Sequence, residues 1–262
     1  MVTSIKYNNF SYTIVFNLES TDAIILLLIV CLFTIIQSVF GVGRLVFGTP
    51  TMLLIGFSFI ETLSYLLPAS IVVSFLQVYK NWNQIKLYRI NVIFYILPMV
   101  VIGLLFVIYY FNFNLYLIIG LTLLLTSLTR FSQTLNKSLE FYFSNNYKLG
   151  FILTGIIHGL TNLGGAPLVI LTNGLYKTKK EIQPNIAYAY LFMAIIQIAI
   201  LIVTDTLVFS SDFLIIPIVA GVIYLCLGNF IFEFTNEKFY YNLMTFFLMA
   251  YGLILLSKTL FF

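Results

Sequence analysis

Long apolar runs separated by short polar stretches dominate this chain. The apolar segments fall at 23–43, 48–57, 60–79, 91–110, 114–129, 149–160, 166–175, 186–204, 213–231 and 239–257. Most match the roughly 20 apolar residues that one helical membrane crossing needs. Two pairs are interrupted. The first break is Gly41-Val42-Gly43-Arg44-Leu45-Val46-Phe47-Gly48-Thr49-Pro50, and the second is Thr161-Asn162-Leu163-Gly164-Gly165-Ala166-Pro167. Glycine and proline clusters are the strongest local punctuators of helices.

The two breaks correspond. At one common offset Pro50 meets Pro167, Gly48 meets Gly165 and Gly41 meets His158. A short apolar run follows each proline, and three full-length segments follow that. The pattern predicts two repeats of four elements. Repeat 1 covers 23–129, with a hairpin at 23–57 and spans at 60–79, 91–110 and 114–129. Repeat 2 covers 149–262, with a hairpin at 149–175 and spans at 186–204, 213–231 and 239–257. Residues 1–22 form a polar leading segment and 130–148 a linker. Paired, interrupted short segments are the best sequence pointer to a transporter's binding site.

Composition removes most other classes. Of 262 residues, 61% are hydrophobic and 8% charged, with mean hydropathy +1.05. Soluble domains average about 25% charged residues. The net charge of +4 contains no basic run of the kind nucleic-acid binders carry. Cys31 and Cys226 sit in separate apolar segments and read as small buried hydrophobes. The start lacks the basic region and cleavage site of a secretory signal, so the first apolar segment is expected to stay in the fold.

Charge placement tests the topology. If every element crossed, the loop with Lys177, Lys179 and Lys180 would lie opposite the loops with Lys80, Lys86, Arg89 and with Arg130, Lys137, Lys148. If each interrupted element turns back at mid-membrane, all three basic loops share one face. Basic loops concentrate on the cytoplasmic side. The expectation is therefore an all-α polytopic membrane protein. It has two inverted repeats, the first element of each being a re-entrant hairpin that meets the other at mid-membrane. Both termini would be extracytoplasmic, and 80–89, 130–148 and 176–181 cytoplasmic. A thiol-accessibility map placing Lys179 outside would overturn this.

Irregular backbone persists at membrane depth only beside protein or a water-filled cavity. Two such breaks thus imply a polar cavity between them. Pro50 and Pro167 suit the first helical position, with Thr49 as N-cap. The free N–H groups of such starts favour an anion. Arg44 gives the same sign, either by touching the anion or by pairing with Glu61. Glu61 reads as an interface residue or a coupling group. His158, the sole histidine, reads as a packed residue or as a ligand and proton-sensitive group. Thr161, Asn162 and Asn173 either bond a ligand or satisfy their own helix. Pro68, Pro98 and Pro217 read as kinks, and Asn185 as a cap.

Gly41-Val42-Gly43-Arg44-Leu45-Val46-Phe47-Gly48-Thr49-Pro50 with Gly56, and Gly155, Gly159, Gly164, Gly165 and Pro167, resemble the glycine-rich motifs of the TauE/SafE family of sulfite exporters. The resemblance implies two repeats of four elements with substrate between the interrupted first ones. It implies carriage of sulfite, sulfonates or related organic anions, usually outward. Arg44, Leu45 and Asn162 stand where the family usually has glycine. The substrate-binding candidates are Gly41, Gly43, Arg44, Gly48, Thr49, Pro50, His158, Thr161, Asn162, Gly164, Gly165, Pro167 and Asn173. Glu61 and His158 are the candidates for coupling.

The leading reading is a secondary transporter in a cell membrane, a bacterial inner membrane being favoured. No phosphate-binding loop of an ATPase occurs, and no catalytic residue set is assigned. No cofactor and no metal are expected, and the partners are a small anion and the bilayer. A homodimer stays open. An anion channel, an uptake permease and a non-transporting scaffold are the alternatives.

Overall fold

The computed structural model describes residues 5–7, 10–12, 20–42, 44–85, 88–110, 114–208, 212–234 and 237–261. Two short antiparallel strands, β1 (Ile5–Tyr7) and β2 (Phe10–Tyr12), pair Lys6 with Ser11. The remainder of the described chain is helices and their connections. The first series is α1 (Ser20–Phe40), α2 (Arg44–Leu54), α3 (Phe59–Lys80), α4 (Tyr88–Asn91), α5 (Leu97–Tyr109), α6 (Leu115–Phe131) and α7 (Gln133–Asn145). The second is α8 (Tyr147–Thr161), α9 (Gly165–Leu175), α10 (Lys179–Val203), α11 (Asp212–Ile223), α12 (Asn229–Phe234) and α13 (Glu237–Phe261).

Local chemistry sets these bounds. Ser58 and Glu61 form a reciprocal capping box that starts α3. Asn114 caps α6 and Ser132 caps α7 through their side-chain oxygens. A π-helical turn, Val92–Ile96, joins α4 to α5 just before Pro98, and another, Tyr224–Gly228, joins α11 to α12. Pro68 and Pro217 lie inside α3 and α11. Three described helices are long and apolar enough to cross a membrane: Phe59–Lys80, Arg89–Tyr109 and Lys179–Val203. Apolar stretches Ile24–Ser38, Ile215–Gly228 and Thr245–Thr259 add shorter candidates.

Three expectations need correction. Residues 130–148 are not a plain linker, because Gln133–Asn145 is helical and bends 105° from α6. Asn185 does not start a helix. It lies inside α10, where its amide bonds the carbonyls of Glu181 and Gln84. Pro50 is not an N1 residue, nor Thr49 its cap. Helix α2 already begins at Arg44, so Pro50 sits within it and withholds the donor that the Val46 carbonyl would use. Pro167 lies in the first turn of α9, behind Gly165 and Ala166.

Apolar and polar residues are distributed as lipid demands. Leu28, Leu32, Phe94, Ile102, Leu125, Ile202, Val222 and Phe246 face outward. Thr34, Gln37, Ser38, Ser70, Ser74, Gln77, Gln183 and Gln197 are buried. Helix α3 packs on α10, α1 on α11, α8 on α5, and α6 on α13. The α5–α8 approach needs glycine. A Cβ on Gly159 would lie 2.6 Å from the Val100 carbonyl oxygen, and one on Gly155 would lie 2.5 Å from that of Ile96. Small residues let helix backbones come this close in a membrane.

Candidate functional site

Helix α1 ends because Gly41 takes φ +70°, the left-handed region. Its N–H donates to the Gln37 carbonyl at 2.8 Å. A terminus buried at this depth must still satisfy its last carbonyls. The Gln77 side chain donates to the carbonyls of Gln37 and Ser38 at 3.1 and 3.3 Å, and Gln183 also donates to Ser38. The Gln37 side chain itself donates to Ser74 Oγ on α3 at 3.0 Å.

Helix α8 ends the same way. Asn162 has φ +62°, and its N–H donates to the His158 carbonyl at 2.8 Å. Asparagine tolerates this region better than most side chains. Thr161 serves its own backbone, donating to the Ile157 carbonyl at 2.6 Å and accepting from Leu163 N–H at 3.2 Å. His158 Nε2 lies 3.1 Å from Gln197 Oε1 on α10, and its ring meets Tyr190 edge-on with centroids 5.5 Å apart. In both breaks, then, the residue one turn before the left-handed cap bonds a polar side chain of the next long helix.

The two breaks meet. Asn162 Nδ2 donates to Thr49 Oγ1 at 2.9 Å, and both residues are fully buried. Beside them, Gly165 opens α9 against the Tyr190 hydroxyl, Val46 and Val42, leaving no room for a Cβ. Gly164 is pressed onto the His158 side chain. Much of the second break's backbone is already bonded: Ala166 N–H reaches Leu163 and Leu168 N–H reaches Gly164. The expected pair of free helix starts is therefore weaker at α9, where Pro167 also lacks a donor.

Among the described residues Arg44 is the largest fully buried side chain. Its Nη2 donates to Thr34 Oγ1, which donates onward to the Val30 carbonyl. Its Nε and Nη1 have no partner, and neither do Gln37 Oε1, His158 Nδ1 or Asn162 Oδ1, while the Tyr190 hydroxyl lies against the Gly165 backbone. An orphaned buried donor or acceptor costs about 1–3 kcal/mol, and more when charged. Unmet buried polar atoms on the elements that form the two breaks are what a site for a polar ligand presents.

Other expected residues lie elsewhere. Glu61 does not pair with Arg44; its carboxylate accepts the Ser58 N–H at 2.7 Å. Asn173 faces α7, where its amide and that of Asn136 share Glu140 Oε1. It is no part of the breaks, because the end of α9 packs directly on the α7 backbone at Gly174. Gly48 seats the Leu66 side chain of α3. Gly43 lies outside the described residues. The site also holds Thr34, Gln37, Ser74, Tyr190 and Gln197, which sequence reading does not single out. Their trace is the helical spacing of polar residues in apolar spans, as in Ser70, Ser74 and Gln77.

The sulfite exporter TauE/SafE family profile matches residues 26–255. The chain belongs to the TauE/SafE family. The match takes in both breaks and both helical series of this TauE/SafE protein. Its family and its apolar helices make it a multi-pass membrane protein, and the family implies an anion exporter-type transporter. No curated protein and no solved structure shows a detectable match.

Proposed function

We propose that this TauE/SafE protein is a secondary transporter, an exporter, of a small oxyanion such as sulfite, an organosulfonate or a related organic acid. It works by alternating access around the meeting point of the two breaks. The observation that carries this is Arg44: a fully buried guanidinium with unpartnered nitrogens, at the start of one broken helix. A charge in a membrane interior is rare and marks function by default.

The two-repeat reading has support in the packing. Helix α1 packs on α11 as α8 packs on α5, and α2 packs on α3 as α9 packs on α10. Helices α3 and α10 pair with each other, as do α6 and α13. Two inverted repeats related by an axis in the membrane plane would give this exchange of partners. With the basic loops on the cytoplasmic face of the cell membrane, the broken elements enter from opposite sides.

The test is uptake of labelled sulfite, sulfonates and carboxylates into proteoliposomes. We expect at least one of these anions to move above the protein-free background. Arg44→Ala should cut that rate by about tenfold or more, because a charge-assisted hydrogen bond is worth about 1.5–3 kcal/mol. A panel in which no anion moves would end the transport reading.

A further inference from the structure

We infer that Arg44 makes the site selective for oxyanions that carry a single negative charge, so that monoanions such as sulfonates are preferred to dianions of the same shape. This rests on the transport reading above and adds the charge class of the cargo.

The inference follows from which charges the breaks hold. Among the described residues Arg44 makes no ion pair, and its one hydrogen bond goes to the neutral hydroxyl of Thr34. Glu61 is committed to the cap of α3. Glu140 holds two amides at the far end of α9, and Glu181 binds Thr178 at the start of α10. The buried polar side chains of the two breaks, Gln37, Thr49, Asn162 and Tyr190, are of uncharged types, and beside Arg44 itself lie the Thr34 hydroxyl and Cys31.

Helix ends do not alter the total. A helix start carries roughly +0.5 charge and a helix end roughly −0.5. Each break contains one of each: α1 ends and α2 begins at the first, α8 ends and α9 begins at the second. Their sum is close to zero, although their directions differ. What remains is the one guanidinium charge. One negative charge on the ligand neutralises it, with the Nε and Nη1 donors available to the oxygens. A second negative charge would be buried without compensation, which low-dielectric surroundings penalise heavily.

The experiment compares methanesulfonate with methylphosphonate in proteoliposomes, above the second ionisation of the phosphonate. The two have one shape and differ by one charge. Wild type should transport methanesulfonate faster by roughly tenfold or more. Arg44→Gln should bring the ratio toward one, and Arg44→Lys should keep its sign. A wild-type ratio near one or favouring the dianion overturns the inference, and so does an Arg44→Gln ratio equal to wild type. If Arg44→Gln does not fold, the wild-type and Arg44→Lys ratios decide. Transport of neither probe, nor of any anion in the wider panel, would instead remove the transport reading itself.

Discussion

Replacing Gly159 with leucine should abolish folded protein. The Cβ alone would lie 2.6 Å from the Val100 carbonyl oxygen, 2.9 Å from Gly103 Cα and 3.1 Å from the Leu104 nitrogen. All three are backbone atoms of α5, so no side chain can swing aside. The reverse contact is equally close, since a Cβ on Gly103 would lie 3.0 Å from Gly159 Cα. Overpacking a core costs typically 1–3 kcal/mol even where side chains adjust. Here whole helices must separate, and the expected cost exceeds about 3 kcal/mol. Helix α8 carries His158 next to this contact, so any displacement reaches the site. The check is thermal unfolding of detergent-purified protein beside Gly221→Ala. At Gly221 a Cβ meets only the Val72 side chain, at 3.1 Å. Gly159→Leu should yield no monodisperse protein and Gly221→Ala nearly wild-type stability. Equal stability of the two would contradict the close α5–α8 packing.

A large effect on transport without loss of fold is also expected at Asn162. Its side chain joins the two breaks through Thr49, and its backbone occupies the left-handed region that closes α8. Alanine would confuse these roles, because left-handed backbone costs an ordinary residue roughly 1–2 kcal/mol. Glycine separates them. Asn162→Gly keeps the cap and removes the bond, leaving the buried Thr49 hydroxyl without that partner. Such a loss is worth about 1–3 kcal/mol, or about tenfold in rate if the bond aligns the two broken helices for turnover. Thr49→Val should lower uptake by a similar factor. The double variant should be little worse than either single one, as expected for partners in one bond. Unchanged uptake in Asn162→Gly would show that the bond has no part in transport.

The breaks were legible because glycine and proline carry backbone information in any context. Burial of Arg44 was legible too, since it lies between two apolar runs in a chain with few charges. Proline is a poor guide to how the two breaks correspond. Matching Pro50 to Pro167 pairs Gly41 with His158. The left-handed caps instead pair Gly41 with Asn162, and Gln37 with His158. Proline marks a helix start only when it stands in the first turn, and Pro50 lies deeper in α2. Side-chain partners were the least legible. Nothing local says that Gln77 and Gln183 would cap the carbonyls of α1, or that Gln197 would meet His158. Those pairings depend on which face of a spanning helix looks inward, and a nearly uniform apolar run does not encode that face strongly. Helix α7 was hidden for the opposite reason: its polar composition reads as a linker until it is packed on α9.

On the proposed reading an anion sits between the two breaks. The most direct measurement is protection of a thiol placed there. In a background lacking Cys31 and Cys226, Thr49→Cys puts a sulfur at the point where α2 meets Asn162. Its rate of modification by a small methanethiosulfonate reagent would be followed with and without a saturating transported anion. Modification should be slower with the anion present, by about tenfold or more at saturation, and a neutral analogue of the same size should not slow it. Modification at the same rate with and without the anion would contradict it.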